Sequence, residues 1–335
     1  MKAVPLNDEQ KKHKKLVIAA VWAVLASIGA VVLLHHNPLD DQDTENLKKL
    51  CGIILLGTGA VVFTFAYDKL TVLPKELWQS RRLIWRLAKN DFRKRYAGSI
   101  FGAVWALVQP VITVIMYYIV FDRIFHQHLV ASGQEIPYVL FLTTGLVPWF
   151  FFTDALSSGT ASLLEYNYLV KKVVFKVSIL PIIKIIAAFF THVFFTAVML
   201  LIALLYGFRP SLYWLQLLYY SAAEFIFVLG LCYTTCAVTV YFRDLQQIIG
   251  IILQVGMWAT PILWDINVVS DKTKAIIKIN PMTYIVNGFR TSIYGKQWFF
   301  EHFYSSTYFW ITTVLVFIIG SLVFKKLKVS FADVL

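Results

Sequence analysis

The sequence predicts an all-α, polytopic membrane protein with about eight transmembrane helices, and three observations predict it. Hydrophobic residues make up 59% of the 335 and charged residues only 15%, with a mean hydropathy of +0.67, a composition typical of chains that bury most of their surface in lipid. The apolar residues gather into long runs, each able as a helix to cross roughly 30 Å of hydrocarbon. Lys and Arg sit in short segments between those runs. A net charge of +12 by itself suggests nucleic acid. Its placement follows the positive-inside rule instead, and argues for membrane lipids and against a nucleic-acid partner.

Taken in order, the chain starts with a polar segment carrying Lys11, Lys12, Lys14 and Lys15, followed by an apolar run from Leu16 to Leu34. A signal peptide has that pattern, but this core is too long and no small-residue cleavage site follows. An uncleaved span with an inner amino terminus is expected. Asp40, Asp41, Asp43 and Glu45 suit the outer side, and a second span from about Leu50 to Tyr67 returns inward. Residues 68–95 hold nine Lys or Arg against three acids, the strongest inner signal in the chain.

Within that segment lies a basic amphipathic helix. On helical spacing Arg82, Arg86, Lys89 and Arg93 form one stripe, and Leu83, Ile84, Leu87 and Ala88 point the other way. Such a helix lies flat in the headgroup layer, here shallowly, because Asp91 and Lys94 interrupt its apolar face. Gly98 then breaks the pattern, and no charge appears from Tyr96 through Phe121. This third span carries Pro110 as a kink and ends near Tyr117 and Tyr118.

After an outer loop from Asp122 to Pro137, residues 138–157 return inward. An inner segment with Lys171, Lys172 and Lys176 follows. Spans at about Val177–Tyr206 and Tyr213–Val240 come next, then Leu245–Leu263 outward. Residues 264–305 form the largest outer region, and about Ser306–Phe324 ends at an inner carboxyl terminus marked by Lys325, Lys326 and Lys328. Around Asn280-Pro281, two short apolar pieces read as helices dipping part-way into the membrane, covered by protein rather than lipid. The inner segments so assigned hold 21 Lys and Arg and the outer ones 9.

The residues resemble a known family at this point. Asp91-Phe92-Arg93-Lys94-Arg95-Tyr96 followed by Gly98-Ser99, Gly102, Trp105 and Pro110 is similar to the entry signature of ABC-2 type permeases. Within them it is most similar to those exporting O-antigen, capsular polysaccharide or teichoic acid on a lipid carrier. Leu169-Val170-Lys171-Lys172-Val173, Leu180-Pro181, Phe242-Arg243-Asp244-Leu245, Thr260-Pro261, Asn280-Pro281-Met282 and Phe331-Ala332-Asp333 follow in the family's order. The resemblance covers about residues 78–335. It implies a six-span permease domain over residues 100–335, an interface helix over 76–99, and an additional two-span extension over 1–75 that the usual family member lacks.

The chain has no GxxxxGK[ST], so it cannot itself cradle ATP phosphates. The resemblance therefore implies a separate ABC ATPase in two copies, holding the ATP and Mg, and a homodimer of this permease with a channel between its halves. No cofactor, catalytic constellation or metal site is expected in this chain; His126 and His128, without an acidic third partner, read as polar surface. Cys232 and Cys236 share a helix face and read as small packing residues before a redox or metal pair.

Several residues carry function under this reading. Leu163, Leu164, Tyr166, Tyr168, Leu169, Lys171 and Lys172 resemble a coupling helix that seats in the ATPase; the plainer reading is a solvated inner loop. Arg82, Arg86, Lys89 and Arg93 anchor to anionic lipid or receive the carrier's phosphate. Glu224, inside a span, calls for a structural partner or a wet cavity, and Lys184, nearer an end, for snorkelling. Tyr117, Tyr118, Trp149, Trp258 and Trp264 are candidates for lining a sugar path. Two other classes compete: an ABC-2 exporter of small hydrophobic compounds, and a membrane-embedded glycosyl- or acyltransferase. The expected location is the bacterial cytoplasmic membrane with both termini inside.

Overall fold

A computed structural model describes residues 8–34, 42–95, 102–125, 128–131, 134–171, 176–301 and 303–335. The described chain divides into two compact units, Met1–Pro74 and Lys75–Leu335. The first is a pair of helices, α1 (Asp8–Leu34) and α2 (Gln42–Leu70), packed side by side. The Trp22 indole donates to Thr64 Oγ1 at 2.9 Å, and Lys49 pairs with the buried Glu45 at 2.7 Å.

The second unit begins within α3 (Val72–Gln79), followed by α4 (Arg81–Arg95). Gly98, the expected turn, lies outside the described residues. Gly102, with φ +52, supplies a left-handed turn ahead of α5 (Trp105–Tyr117). That helix runs past Pro110 unbroken and widens instead into a π-helical stretch, Tyr118–Ile124. A short antiparallel hairpin, β1 (His128–Ala131) and β2 (Gln134–Pro137), leads into α6 (Tyr138–Glu165). The sequence predicts this span over residues 138–157, ending near Asp154; the helix continues to Glu165. A single turn, α7 (Asn167–Val170), follows it.

Then come α8 (Leu180–Leu205), α9 (Gln216–Thr239), α10 (Leu245–Ala259), α11 (Asp271–Ile277), α12 (Pro281–Arg290), α13 (Phe303–Leu327) and α14 (Phe331–Val334). Gly207, at φ +83, ends α8: its N–H reaches Leu204 O, and Phe208 N–H reaches Ala203 O, both at 3.0 Å. That is a Schellman close, which satisfies carbonyls the helix leaves open. Asn280 caps α12 by accepting from Met282 N–H at 3.0 Å, with Pro281 as the first helical residue.

Among the candidate membrane spans α6 is the most buried. It packs on α8 and α9, while α13 packs on α9 and α12 wedges against α6 and α9. Glycines set these approaches. A Cβ on Gly159 would stand 2.4 Å from Cys232 Sγ, and one on Gly320 would stand 2.4 Å from the Gly230 carbonyl oxygen. Cys232 and Cys236 are free and buried. Five helical stretches are long and apolar enough to cross a membrane: Lys14–Leu34, Tyr138–Glu165, Val177–Leu205, Leu212–Thr239 and Phe303–Ser330. The expected spans at α2 and α10 are represented by shorter apolar stretches, Gly52–Phe65 and Leu245–Ala259. At about 1.5 Å per residue the 15 residues of α10 do not cover the full hydrocarbon thickness as a straight helix, whereas the 29 residues of α2 as a whole do.

Candidate functional site

The sequence reading of α4 puts its apolar face into lipid. The structure turns that face onto α8. Ile84, Ala88 and Asp91, one helical stripe, are buried, and Leu83 is exposed instead. Trp85 and Phe92 meet Phe190 of α8 edge-on, with ring centres 5.3 and 5.7 Å apart. The basic stripe, Arg82, Arg86, Lys89 and Arg93, is exposed on the other side, as its spacing predicts.

Asp91 does not interrupt packing; it organises a charged joint. Lys184 Nζ lies 2.8 Å from Asp91 Oδ1 and 2.5 Å from Glu165 Oε2. Arg95 Nη1 donates to both oxygens of Asp154 at 3.0 Å, and its Nε lies 3.6 Å from Asp91 Oδ2. Tyr166 donates its hydroxyl to Asp91 Oδ1 at 2.5 Å, and the Lys184 ammonium stands 4.9 Å over its ring. Lys184 therefore does not snorkel: its side chain is 6% exposed, as is that of Asp91.

The cause is electrostatic. Lys184 sits in the first turns of α8 and Glu165 in the last turn of α6, each at the helix end that disfavours its charge. Pairing offsets both, and three carboxylates face two cations across α4, α6 and α8. Burial first, then the bond to Asp91, pushes the Tyr166 hydroxyl well above its ordinary range, so it remains a donor. Beneath the joint, Ser178 donates to Glu76 and Lys176 donates to Gln79 at 3.3 Å, tying α3 to the chain entering α8.

The apolar side chains expected on the docking segment divide. Leu163 is fully buried, a correction to its expected exposure, because α6 runs on through it. Leu164, Tyr166 and Leu169 are half-buried; Tyr168 and Lys171 are exposed; Lys172 lies outside the described residues. The exposed tip is thus one turn of helix, directly after the tyrosine bound to Asp91.

The expected path-lining residues are not gathered in one place. Tyr117 packs towards Phe121, with ring centres 6.0 Å apart, and the Tyr118 hydroxyl accepts from Arg123 Nε at 2.8 Å. Trp149 is buried against Gly256, where a Cβ would meet its ring at 3.0 Å. Trp258 is exposed, and Trp264 donates its indole N–H to the Trp258 carbonyl at 3.0 Å. Glu224 is fully buried, and neither carboxylate oxygen has a hydrogen-bond partner among the described residues. Among those residues no group of three His, Cys, Asp or Glu is placed to hold a metal; His126 lies outside them. Sequence reasoning missed the partners Asp154 and Glu165 and the buried Arg290. The one available sign was the i,i+4 pairing of Asp91 with Arg95.

A bundle of helices long and apolar enough to cross a membrane, with a basic amphipathic helix clamped to one end and an exposed helical tip beside the clamp, is the architecture of an integral membrane protein. The chain belongs to the ABC-2 type transporter family, which matches residues 82–294. Two Klebsiella pneumoniae proteins named O-antigen export system permease protein RfbA are 28% and 26% identical to it over 250 residues, covering 74% of this chain and 93% of theirs. A Myxococcus xanthus protein of the same name is 26% identical over 227 residues, covering 67% and 85%. Members of this family are multi-pass inner-membrane transport components rather than catalysts, and the family implies a partner ATPase subunit.

Proposed function

We propose that this chain is the permease subunit of an ATP-driven exporter that moves a lipid-linked cell-envelope polysaccharide across the bacterial cytoplasmic membrane. The observation that carries this reading is the similarity to O-antigen export permeases along 93% of their length. Two copies of the chain form the path, and two copies of a separate ATPase bind ATP and Mg. The charged joint lies at the cytoplasmic face, with both termini on that side, and α11 and α12 lie outside. Eight spans result when α2, α5 and α10 each complete a crossing, and residues 1–75, 76–99 and 100–335 act as extension, interface helix and permease domain. Arg82, Arg86, Lys89 and Arg93 then face headgroup phosphates, including the phosphate of the lipid carrier. The aromatics Tyr117, Tyr118, Trp149, Trp258 and Trp264, with Glu224, act in or behind the path.

Deleting the gene is expected to leave lipid-linked polymer inside the cell, and a tagged copy is expected to bring down its ATPase in equal amount. Polymer reaching the surface unchanged in the deletion strain overturns the reading. Cysteine at Lys274, in a background without native thiols, should react with an impermeant reagent on intact cells; protection there reverses the proposed sidedness.

The docking tip makes a narrower prediction. Tyr168→Asp places a charge on the exposed apolar tip and should reduce ATPase capture at least tenfold, as loss of a central contact does. Tyr166→Phe removes only the bond to Asp91, about 1.5–3 kcal/mol for a bond to a charged group. Its capture should stay intact while export per ATP hydrolysed falls. Pull-down and export measured side by side distinguish the two.

A further inference from the structure

At the end of the bundle away from the charged joint, the four residues Thr260–Leu263 leave α10 as irregular backbone, yet all four are buried. Buried backbone must find partners; two side chains donate to carbonyls of this strap, and a third holds the Thr260 hydroxyl. Asn280 Nδ2 donates to Thr260 Oγ1 at 2.8 Å, Arg290 Nη2 donates to the Ile262 carbonyl at 2.9 Å, and Tyr138 donates its hydroxyl to the Leu263 carbonyl. The strap is thereby pinned to α6, to the cap of α12 and to the last turn of α12. Gly145 makes the approach possible: a Cβ there would stand 3.3 Å from Ile262 Cα and 3.3 Å from Arg290 Nη2.

Arg290 is the costly member. It is 6% exposed, its guanidinium lies 3.7 Å over the Phe141 ring, and its Nε has no hydrogen-bond partner among the described residues. Packing alone would be served as well by an apolar side chain, since a buried charge carries a desolvation cost. What a guanidinium adds is a flat face for the ring together with an edge donor for the carbonyl. Lysine has no equivalent of that pair. Trp258 and Trp264 flank the strap in the chain and are joined across it by the indole–carbonyl bond, with Trp258 65% exposed.

We propose that Arg290 is a positioning residue for transport: by holding the strap between its own helix, α12, and the Phe141 ring of α6, it keeps the Trp258–Trp264 corner in place and the outer mouth of the path closed between turnovers. This rests on the exporter reading above. The test uses the full permease–ATPase complex in proteoliposomes, reading ATPase association, ATP hydrolysis, polymer export, and leak of a trapped small anionic dye without nucleotide. Arg290→Lys and Arg290→Met should keep the ATPase bound and hydrolysing, raise the leak at least tenfold and cut export per ATP at least fivefold. Phe141→Leu should fall between them and wild type. A disulfide between Gly145→Cys and Ile262→Cys, added to Arg290→Lys, should return the leak to the wild-type level by replacing the lost pin.

Wild-type leak and export per ATP in assembled Arg290→Lys overturn the proposal, as does failure of the disulfide to reduce a raised leak. Should Arg290→Met not assemble, Phe141→Leu is read in its place, and its wild-type leak counts against the proposal. Absence of export by the wild-type complex would defeat the exporter reading separately, and the leak comparison would still decide the role of Arg290.

Discussion

Lys184→Met should destabilise the protein by about 3–5 kcal/mol, the usual cost of stranding one member of a buried ion pair. The substitution preserves length and apolar bulk, so the loss is electrostatic. Asp91, with its side chain 6% exposed, keeps only Tyr166 and the 3.6 Å approach of Arg95, while Glu165, half exposed, can turn to water. Thermal unfolding in detergent should show a clear drop. Pairing Lys184→Met with Asp91→Asn, which removes the stranded charge, should recover most of it. An unchanged unfolding temperature in the single variant would mean that the joint does not hold α4 to the bundle. Export should fall in the single variant whatever protein remains, because α4 then keeps only its packing on Phe190 and the Arg95–Asp154 pair.

The second large effect is expected from Gly320→Leu. The Gly320 Cβ would lie 2.4 Å from the Gly230 carbonyl oxygen, 3.1 Å from Tyr233 Cβ and 3.2 Å from Thr234 Oγ1; a Cβ on Gly230 would in turn lie 3.0 Å from Phe317 N and Cα. The obstacles are main chain on both sides, which no rotamer change relieves. Overpacking of this kind costs about 1–3 kcal/mol when side chains can yield, and more is expected here because helix association in lipid depends on close backbone approach. The amount of folded protein in the membrane should fall sharply. Gly57→Leu is the matched control: a Cβ at Gly57 meets nothing within 4 Å, so its level should stay near wild type. Equal losses in both would point to a general effect of leucine rather than to the α9–α13 contact.

Legibility differed from residue to residue. The basic stripe of α4 was readable because exposed charge on one helix face depends only on spacing, and all four residues are exposed. Asp91 was misread for the same reason. Spacing puts it on the apolar face, and nothing local says that a lysine ninety-three positions later comes within 2.8 Å. Lys184 illustrates the converse: near a span end, snorkelling and burial look alike until the partner carboxylates are placed. On the docking segment, the expected exposure of Leu163 failed because α6 continued past Asp154 and through Gly159, where it packs closely on α9, to Glu165.

The order of apolar runs and the charges between them, by themselves, determined a helical membrane protein with a basic interface helix, because hydrophobic length and charge placement are local properties read against a fixed slab of lipid. The ordered motifs likewise carried the family. Only the tertiary structure decided which face α4 buries, that Asp91, Lys184 and Glu165 meet, that Tyr166 faces inward while Tyr168 faces out, and that Arg290, over Phe141 of α6, pins Thr260–Leu263 to α12. Each of those depends on partners far apart in the chain, and a charge inside a span is stabilised or stranded solely by what the packing brings within hydrogen-bonding distance.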